Sequence, residues 1–144
     1  MATSIRRLSI ADYEDILQLW AMAGLPHKPK GRDSKPSMAA EMNLPQCRYF
    51  GLFVDDEMLG VAIANYDGRR GWVNRVAIHP DYRGKRLAGL LIQECEKFLE
   101  SQGAVVMCAL INEMNTPSMA TFERAGFLCE SRFKYFAKRK SADA

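Results

Sequence analysis

Val76-Ala77-Ile78-His79-Pro80-Asp81-Tyr82-Arg83-Gly84-Lys85-Arg86-Leu87-Ala88-Gly89 is the stretch that decides how this chain reads. Its opening residues are apolar β-formers. Pro80 cannot donate to a strand ladder, so a strand ends at His79-Pro80. A short turn follows, with Gly84 set among Arg83, Lys85 and Arg86. Then Leu87, Leu90, Leu91, Cys95, Phe98 and Leu99 recur at helical spacing, and Gly103 stands where a left-handed residue stops a helix. The first N–H groups of a helix have no internal partners, and the helix dipole favours an anion there. Gly84 lacks a Cβ and permits close approach of the main chain. Ala88 and Gly89 keep the first helical turn low enough for a bulky group to lie across it. Three basic side chains oppose the dipole, and an anionic ligand gives them a reason to be there. The pattern is that of a diphosphate cradle built mainly from main-chain amides; the plainer alternative is a solvated turn carrying three charges. It is not a P-loop, having no Gly-Lys-Ser/Thr end, and no Gly-x-Gly-x-x-Gly follows a first strand.

Upstream, Trp72 to Ile78 completes that strand, and Asp67-Gly68 turns into it. Tyr49 to Val54 and Met58 to Tyr66 form a hairpin about Asp55-Asp56-Glu57. Pro26 to Pro45 is a long polar loop with one short helix around Met38 to Met42. Before it, Ser4 to Ile10 reads as a strand. Asp12 caps a helix carrying Ile16, Leu19 and Trp20, which Gly24 ends. Downstream, the apolar run Ala104 to Ile111 predicts a strand covered on both faces. Thr116-Pro117 opens a short helix closed by Gly126, Phe127 to Ala137 reads as a last strand, and a basic tail starts at Lys138. The sum is one α/β (α+β) domain over residues 1–144 with a mixed sheet.

Composition narrows the function classes. The chain has 144 residues, 48% of them hydrophobic, enough for a core without staples. Lys plus Arg is 20 and Asp plus Glu is 17, and the resulting +3 is too weak to argue for nucleic acid. No apolar run is long enough for a membrane helix. The start, Met-Ala-Thr-Ser-Ile-Arg-Arg, lacks the apolar stretch of a secretory signal. Cys47, Cys95, Cys108 and Cys129 show no Cys-x-x-Cys spacing and no neighbouring histidine. They read as buried reduced thiols of a cytoplasmic protein, with no metal site.

Two motifs resemble a known family. Around Arg83 the chain resembles the acyl-CoA-binding motif of the GNAT superfamily of N-acetyltransferases, Arg/Gln-x-x-Gly-x-Gly/Ala, with Arg83 first and Ala88 last. Arg86 stands where that motif has glycine. Farther on, Asn115-Thr116-Pro117-Ser118 and Phe122-Glu123-Arg124-Ala125-Gly126-Phe127 resemble the second motif: an Asn, a small residue three later, an aromatic and a Gly-Phe pair. The resemblance covers Tyr49 to Tyr135. It implies a mixed, mostly antiparallel sheet with a central splayed parallel pair, flanked by helices, and acetyl-CoA as co-substrate. It also implies that the main chain of Val76, Ala77 and Ile78 meets the pantetheine arm and the thioester, and that Arg83, Gly84, Lys85, Arg86, Leu87, Ala88 and Gly89 hold the pyrophosphate. Asn115 and Ser118 would meet the pantetheine, Phe122 would lie near the sulfur, and Ile111 and Asn112 would face the gap between the splayed strands.

The implied reaction is direct attack of a primary amine on the thioester, with a base taking the amine proton and the N–H of Val76 or Ala77 receiving the oxyanion. Phe122 occupies the position, four residues before the Gly-Phe pair, where the family often has a Tyr to protonate the leaving thiolate. Tyr135 on the last strand is a substitute, or simply a half-buried strand residue. Glu113 is a candidate base, or a solvated carboxylate. Strand alternation places Asn74 on the same side as Val76, where it could orient a water. Asp33 and Glu41 could contact a cationic acceptor, Trp20, Leu25 and Tyr66 could line its pocket, and His79 reads as a turn residue.

The expected activity is therefore acetylation of an amine on a small molecule, peptide or protein. A non-catalytic acyl-CoA sensor is the alternative, and a nucleic-acid-binding domain using Arg83, Lys85, Arg86 and the tail is a third reading. No nucleic-acid or membrane partner is expected. A homodimer is the commonest closed oligomer and is kept open.

Overall fold

Asp55 and Asp56 both take left-handed backbone angles, with φ of 51° and 68°. That pair makes the tight turn whose twist suits antiparallel strands, and the chain folds back on itself there. The strands so joined are β2 (Cys47–Val54) and β3 (Glu57–Tyr66). The computed structural model describes residues 2–144. Besides the hairpin it contains β1 (Thr3–Arg7), α1 (Tyr13–Ala23), α2 (Lys35–Met42), β4 (Gly71–Ile78), α3 (Leu87–Gln102), β5 (Met107–Cys108) and α4 (Thr116–Arg124).

The sheet runs in the order β1-β2-β3-β4-β5. Its first four strands are antiparallel, and β4 and β5 are parallel, as the mixed sheet anticipated. Both faces are covered. On one, Leu52, Val73 and Ile78 pack with Leu87, Leu91 and Ile92 around α3. On the other, Tyr49, Val61 and Ile63 pack with Ile16, Trp20 and Met38 from α1 and α2. Burial on both sides pushes the thiols of Cys47 and Cys95 up to about 12, so these two behave as packing groups. All four cysteines are free, but the expectation that all are buried is corrected: Cys108 is half-buried on the edge strand and Cys129 is exposed after α4. Among the described residues no helix is long and apolar enough to cross a membrane, and no group of His, Cys, Asp and Glu could hold a metal ion.

Four local expectations are corrected. β1 stops at Arg7 rather than running to Ile10, because Ser9 caps a short 3-10 turn over Ile10–Asp12. Asp12 does not cap α1: its carboxylate reaches back to the Ser9 amide at 2.9 Å and to Arg6, closing a capping box around that turn. Leu90 is exposed, since the face of α3 that it occupies has nothing packed on it. The largest difference lies at the end of the chain. The run Ala104 to Ile111 forms only the two-residue strand β5, and Phe127 to Ala137 forms no strand at all. With nothing paired beyond it, β5 is an open edge, and Val105 and Leu110 beside it are exposed rather than covered on both faces.

Candidate functional site

The register along β4 creates the site. Asn74 lies opposite Ile63, yet Ala77 lies opposite Val61, so Arg75 and Val76 together face the single residue Ala62. This is a β-bulge, and Arg75 takes the strained angle it requires, with φ of 52°. The bulge changes the parity of the strand. Asn74 and Ala77 share the face of α1 and α2, while Val76 packs toward α3. Asn74 and Val76 are therefore on different sides, contrary to simple alternation, because one extra residue is inserted between them.

β4 and β5 pair only at Gly71↔Met107 and Trp72↔Cys108. Past Trp72 no ladder joins them, so the β5-facing main chain of Val76, Ala77 and Ile78 borders a gap, as the splayed pair implied. Unpaired main-chain groups seek a partner. Ile111 is half-buried against the core at the far side of this gap, and Asn112 is exposed, its side chain accepting from the Met114 amide at 2.9 Å.

At the end of β4 the turn is built tightly. The Nδ1 of His79 accepts from the Asp81 amide at 3.1 Å, which makes His79 a turn residue, as read. Its ring meets Tyr82 edge-on, 5.8 Å between centroids. Gly84 has φ of 79°, and a Cβ there, as at Gly89, would meet nothing within 4 Å. Arg86 also lies in the left-handed region, with φ of 60° and ψ of 24°. That explains why a glycine suits this position. No side chain caps α3, so the amides of Leu87, Ala88 and Gly89 emerge beside an open surface without a side-chain acceptor. The main-chain features expected of a cradle, an open glycine turn and a helix start without a side-chain cap, are both found. The side chains of the turn divide: Lys85 lies 5.2 Å from the Tyr82 ring, whereas the Arg83 guanidinium donates to the Ala23 carbonyl at 2.9 Å. Arg83 so occupies the negative end of α1 and braces the turn.

Asn115 caps α4, its Oδ1 accepting from the Ser118 amide at 3.2 Å, so these two residues stand together at one helix start. Phe122 is buried and meets Phe127 edge-on at 5.0 Å. Glu113 sits exposed in the loop between β5 and α4. Tyr135 lies in the exposed tail and in no strand, so the structure does not bring it to β4.

A polar cluster under the bulge joins Asp33, Glu41 and Trp20, expected near the acceptor, to Arg75 and Tyr49, which the sequence did not single out. The Arg75 guanidinium stacks over Trp20 at 4.2 Å, donates to the Pro26 carbonyl at 2.6 Å and lies 3.8 Å from Asp33. Burial lowers its pKa, and Asp33 opposes that shift. Asp33 is 5% exposed and accepts from the Lys28 amide at 2.8 Å and from Arg32 at 3.1 Å. The loop Pro26 to Pro45 is thereby pinned to the bulge. Next to it the Tyr49 hydroxyl donates to Glu41 on α2, and burial, reinforced by the Glu41 charge, pushes that hydroxyl far up, so it remains a donor. Of the expected pocket aromatics, Trp20 lies in this layer with Leu25 beside it, but Tyr66 packs on the α3 side. The available signal was the polar pair Asn74-Arg75 interrupting an apolar central strand. A separate cleft of about 360 Å³ between α1 and the hairpin turn is lined by Asp15, Asp55, Asp56 and Glu57, and shares only His79 with the cradle turn.

Residues 10–127 match the family model described as Acetyltransferase (GNAT) family. The chain belongs to the GNAT acetyltransferase family. Solved GNAT-like structures share its fold. A PaiA N-acetyltransferase from Thermoplasma acidophilum, in complex with coenzyme A, superposes with a TM-score of 0.77 at 22% identity, covering 90% of this chain and 92% of that one. The aminoglycoside enzyme AAC(6')-Iy, in complex with a CoA bisubstrate analogue, gives a TM-score of 0.82 at 18% identity over 96% and 99% of the two chains. A ribosomal-protein-alanine N-acetyltransferase from Brucella melitensis biovar Abortus 2308 gives 0.72 at 18% identity over 96% and 99%. Within this GNAT chain the bulged strand, the gap and the uncapped helix form one continuous path, from Arg75 through Ile78 to Gly89.

Proposed function

We propose that this GNAT chain transfers the acetyl group of acetyl-CoA to a primary amine of a small molecule, peptide or protein. One observation carries the reading: the uncapped first turn of α3 continues directly from a β4 edge that β5 leaves unpaired beyond Trp72. The residues fit the co-substrate. Its diphosphate would take the amides between Gly84 and Gly89, with Lys85 and Arg86 adding positive charge. Pantetheine would run along Val76 to Ile78, with Asn115 and Ser118 at the start of α4 beyond it.

The amine nitrogen bonds to the thioester carbonyl carbon, the carbon–sulfur bond breaks, and coenzyme A leaves as a thiolate that takes up a proton. The Val76 or Ala77 N–H beside the bulge would hold the developing oxyanion. The amine proton must go to a base, directly or through water. Glu41, held by the Tyr49 hydroxyl on the sheet face that Asn74 shares, would take this role, with Asn74 orienting a water. Glu113, in the exposed loop after β5, is the second carboxylate assigned to this step. An acyl-CoA sensor is the second reading, favoured by the absence of a hydroxyl at Phe122.

The test is thiol release from acetyl-CoA, followed with a chromogenic disulfide across a panel of small-molecule and peptide amines. Amine-dependent release confirms transfer and discards the sensor. Tight acetyl-CoA binding with no release on any amine establishes the sensor, and no binding at all removes both.

A further inference from the structure

We propose that the amine acceptor also carries a carboxylate, as an amino acid or a peptide does, and that the Arg75 guanidinium receives it. The assignment rests on the acetyl-transfer reading and adds the chemical class of its acceptor. Two buried donors in one cluster lack an acceptor of their own. Among the described residues Arg75 donates only through Nη2, to the Pro26 carbonyl, while its Nε is buried with no partner. Trp20, stacked under that guanidinium and 0% exposed, leaves its Nε1 buried and unpartnered too. Buried donors are almost always satisfied, so each one left over calls for an explanation. Arg75 is not sealed off, since 21% of its side chain is exposed.

The carboxylates nearby do not fill the need. Asp33 lies 3.8 Å from Arg75 Nη2, too far for a hydrogen bond, and it already accepts from the Lys28 amide and from Arg32. Glu41 accepts from the Tyr49 hydroxyl. Burial accordingly lowers the Arg75 pKa against the pull of both carboxylates. The loop facing Arg75 has the same sign. Between Pro26 and Pro45, the cations Lys28, Lys30, Arg32 and Lys35 outnumber Asp33 and Glu41 by two. Arg75 raises that excess to three, equal to the +3 of the whole chain. Such a surface draws an anionic group and repels a polycation. An arginine suits the task, because its planar fork matches both oxygens of a carboxylate. A zwitterionic acceptor then fits two roles at once, its amine proton going to Glu41 and its carboxylate to Arg75. Asp33 serves to hold Arg75 rather than to meet a cationic acceptor.

Matched amines that differ only in the carboxylate test it: lysine against cadaverine, and a dipeptide against its C-terminal amide. With the unaltered chain, thiol release from acetyl-CoA should show a kcat/KM at least about tenfold higher for the carboxylated member. The pair that shows it tells a free amino acid from a peptide. Arg75→Gln should erase the preference by raising KM for the carboxylated member alone, with the Kd for coenzyme A and the circular-dichroism spectrum unchanged. A role confined to packing would raise KM for both members alike and would overturn the proposal. So would equal or faster release with both uncarboxylated partners, an aminoglycoside accepted better than every carboxylated amine, or a preference that survives Arg75→Gln. No release with any amine removes acetyl transfer instead. Calorimetric titration of the coenzyme A-loaded chain with the same pairs then decides: binding of the carboxylated member that Arg75→Gln abolishes upholds the assignment, and its absence overturns it.

Discussion

Arg86 holds a backbone conformation that side chains resist, and replacing it separates the two contributions it makes to the cradle. Its φ of 60° and ψ of 24° are left-handed. A residue with a Cβ pays about 1–2 kcal/mol there. Glycine avoids that strain but loses more freedom on folding, about 0.5–1 kcal/mol. Arg86→Gly should therefore stabilise the fold by about 0.5–1 kcal/mol. At this chain length that corresponds to a Tm higher by about 2–3 °C. Arg86→Ala retains the strain and should leave Tm close to the parent. Both variants remove the same positive charge from the end of α3. If the turn grips the diphosphate of coenzyme A, both should bind it more weakly at low salt. A surface charge about 4 Å from a phosphate contributes about 1 kcal/mol, or about fivefold in Kd. That difference should shrink as salt screens it. Calorimetric scanning and titration with coenzyme A read the two effects separately. Equal Tm for the Gly and Ala variants would refute the strain argument, and an unchanged low-salt Kd in both would place the diphosphate elsewhere.

Other substitutions probe the parts around the cradle. A Cβ at Gly71 would lie 2.8 Å from Leu99 Cδ1 and 3.0 Å from both Leu99 Cβ and Met107 Sδ. Gly71→Ala should thus cost about 1–3 kcal/mol in denaturant unfolding. Asp67 accepts from Trp72 Nε1 and from the amides of Arg70 and Arg69, which hold its carboxyl down at about 2, against an ordinary 3.8. A depressed carboxyl stabilises the fold fully above its unfolded value and loses that contribution as pH falls through the folded value. Tm should therefore drop between pH 4 and 2, and Asp67→Asn should flatten that limb. Glu41→Gln keeps an acceptor for the Tyr49 hydroxyl but removes the base. It should lower kcat by about 10²-fold or more while leaving the Kd for coenzyme A unchanged. Glu113→Gln with the larger loss would transfer the role to that loop.

The parts of this fold that were legible in the sequence are those fixed by local chemistry. Pro80 ends β4, Gly103 ends α3 with φ of 109°, and the Asp55-Asp56 turn closes the hairpin, each by a backbone rule that needs no knowledge of neighbours. The strand–turn–helix unit expected to hold the diphosphate was legible for the same reason, since its turn and helix start are set within one local stretch. What failed depended on pairing. Alternation assigns Asn74 and Val76 to one side only if the ladder is regular, and the bulge is a property of β3 and β4 together. Phe127 to Ala137 has the residues of a strand, but a strand exists only where it pairs with an edge, and this segment does not pair with β5.

The bulge also ties the loop before β2 to the proposed reaction site at β4. Inserting Arg75 and Val76 opposite Ala62 does two things at once. It breaks the regular ladder beside the gap left by β5, where main-chain N–H groups can meet a carbonyl. It also sends the Arg75 side chain to the other face, onto Trp20 and toward Asp33. A rigid cation thereby joins the expected acetyl position to the segment Pro26 to Pro45, where acceptor contacts would lie. Asp33→Asn weakens that tie without touching the diphosphate cradle. It should therefore raise KM for the amine while the Kd for coenzyme A holds. A parallel loss of both would mean that Asp33 supports the whole sheet rather than the acceptor wall.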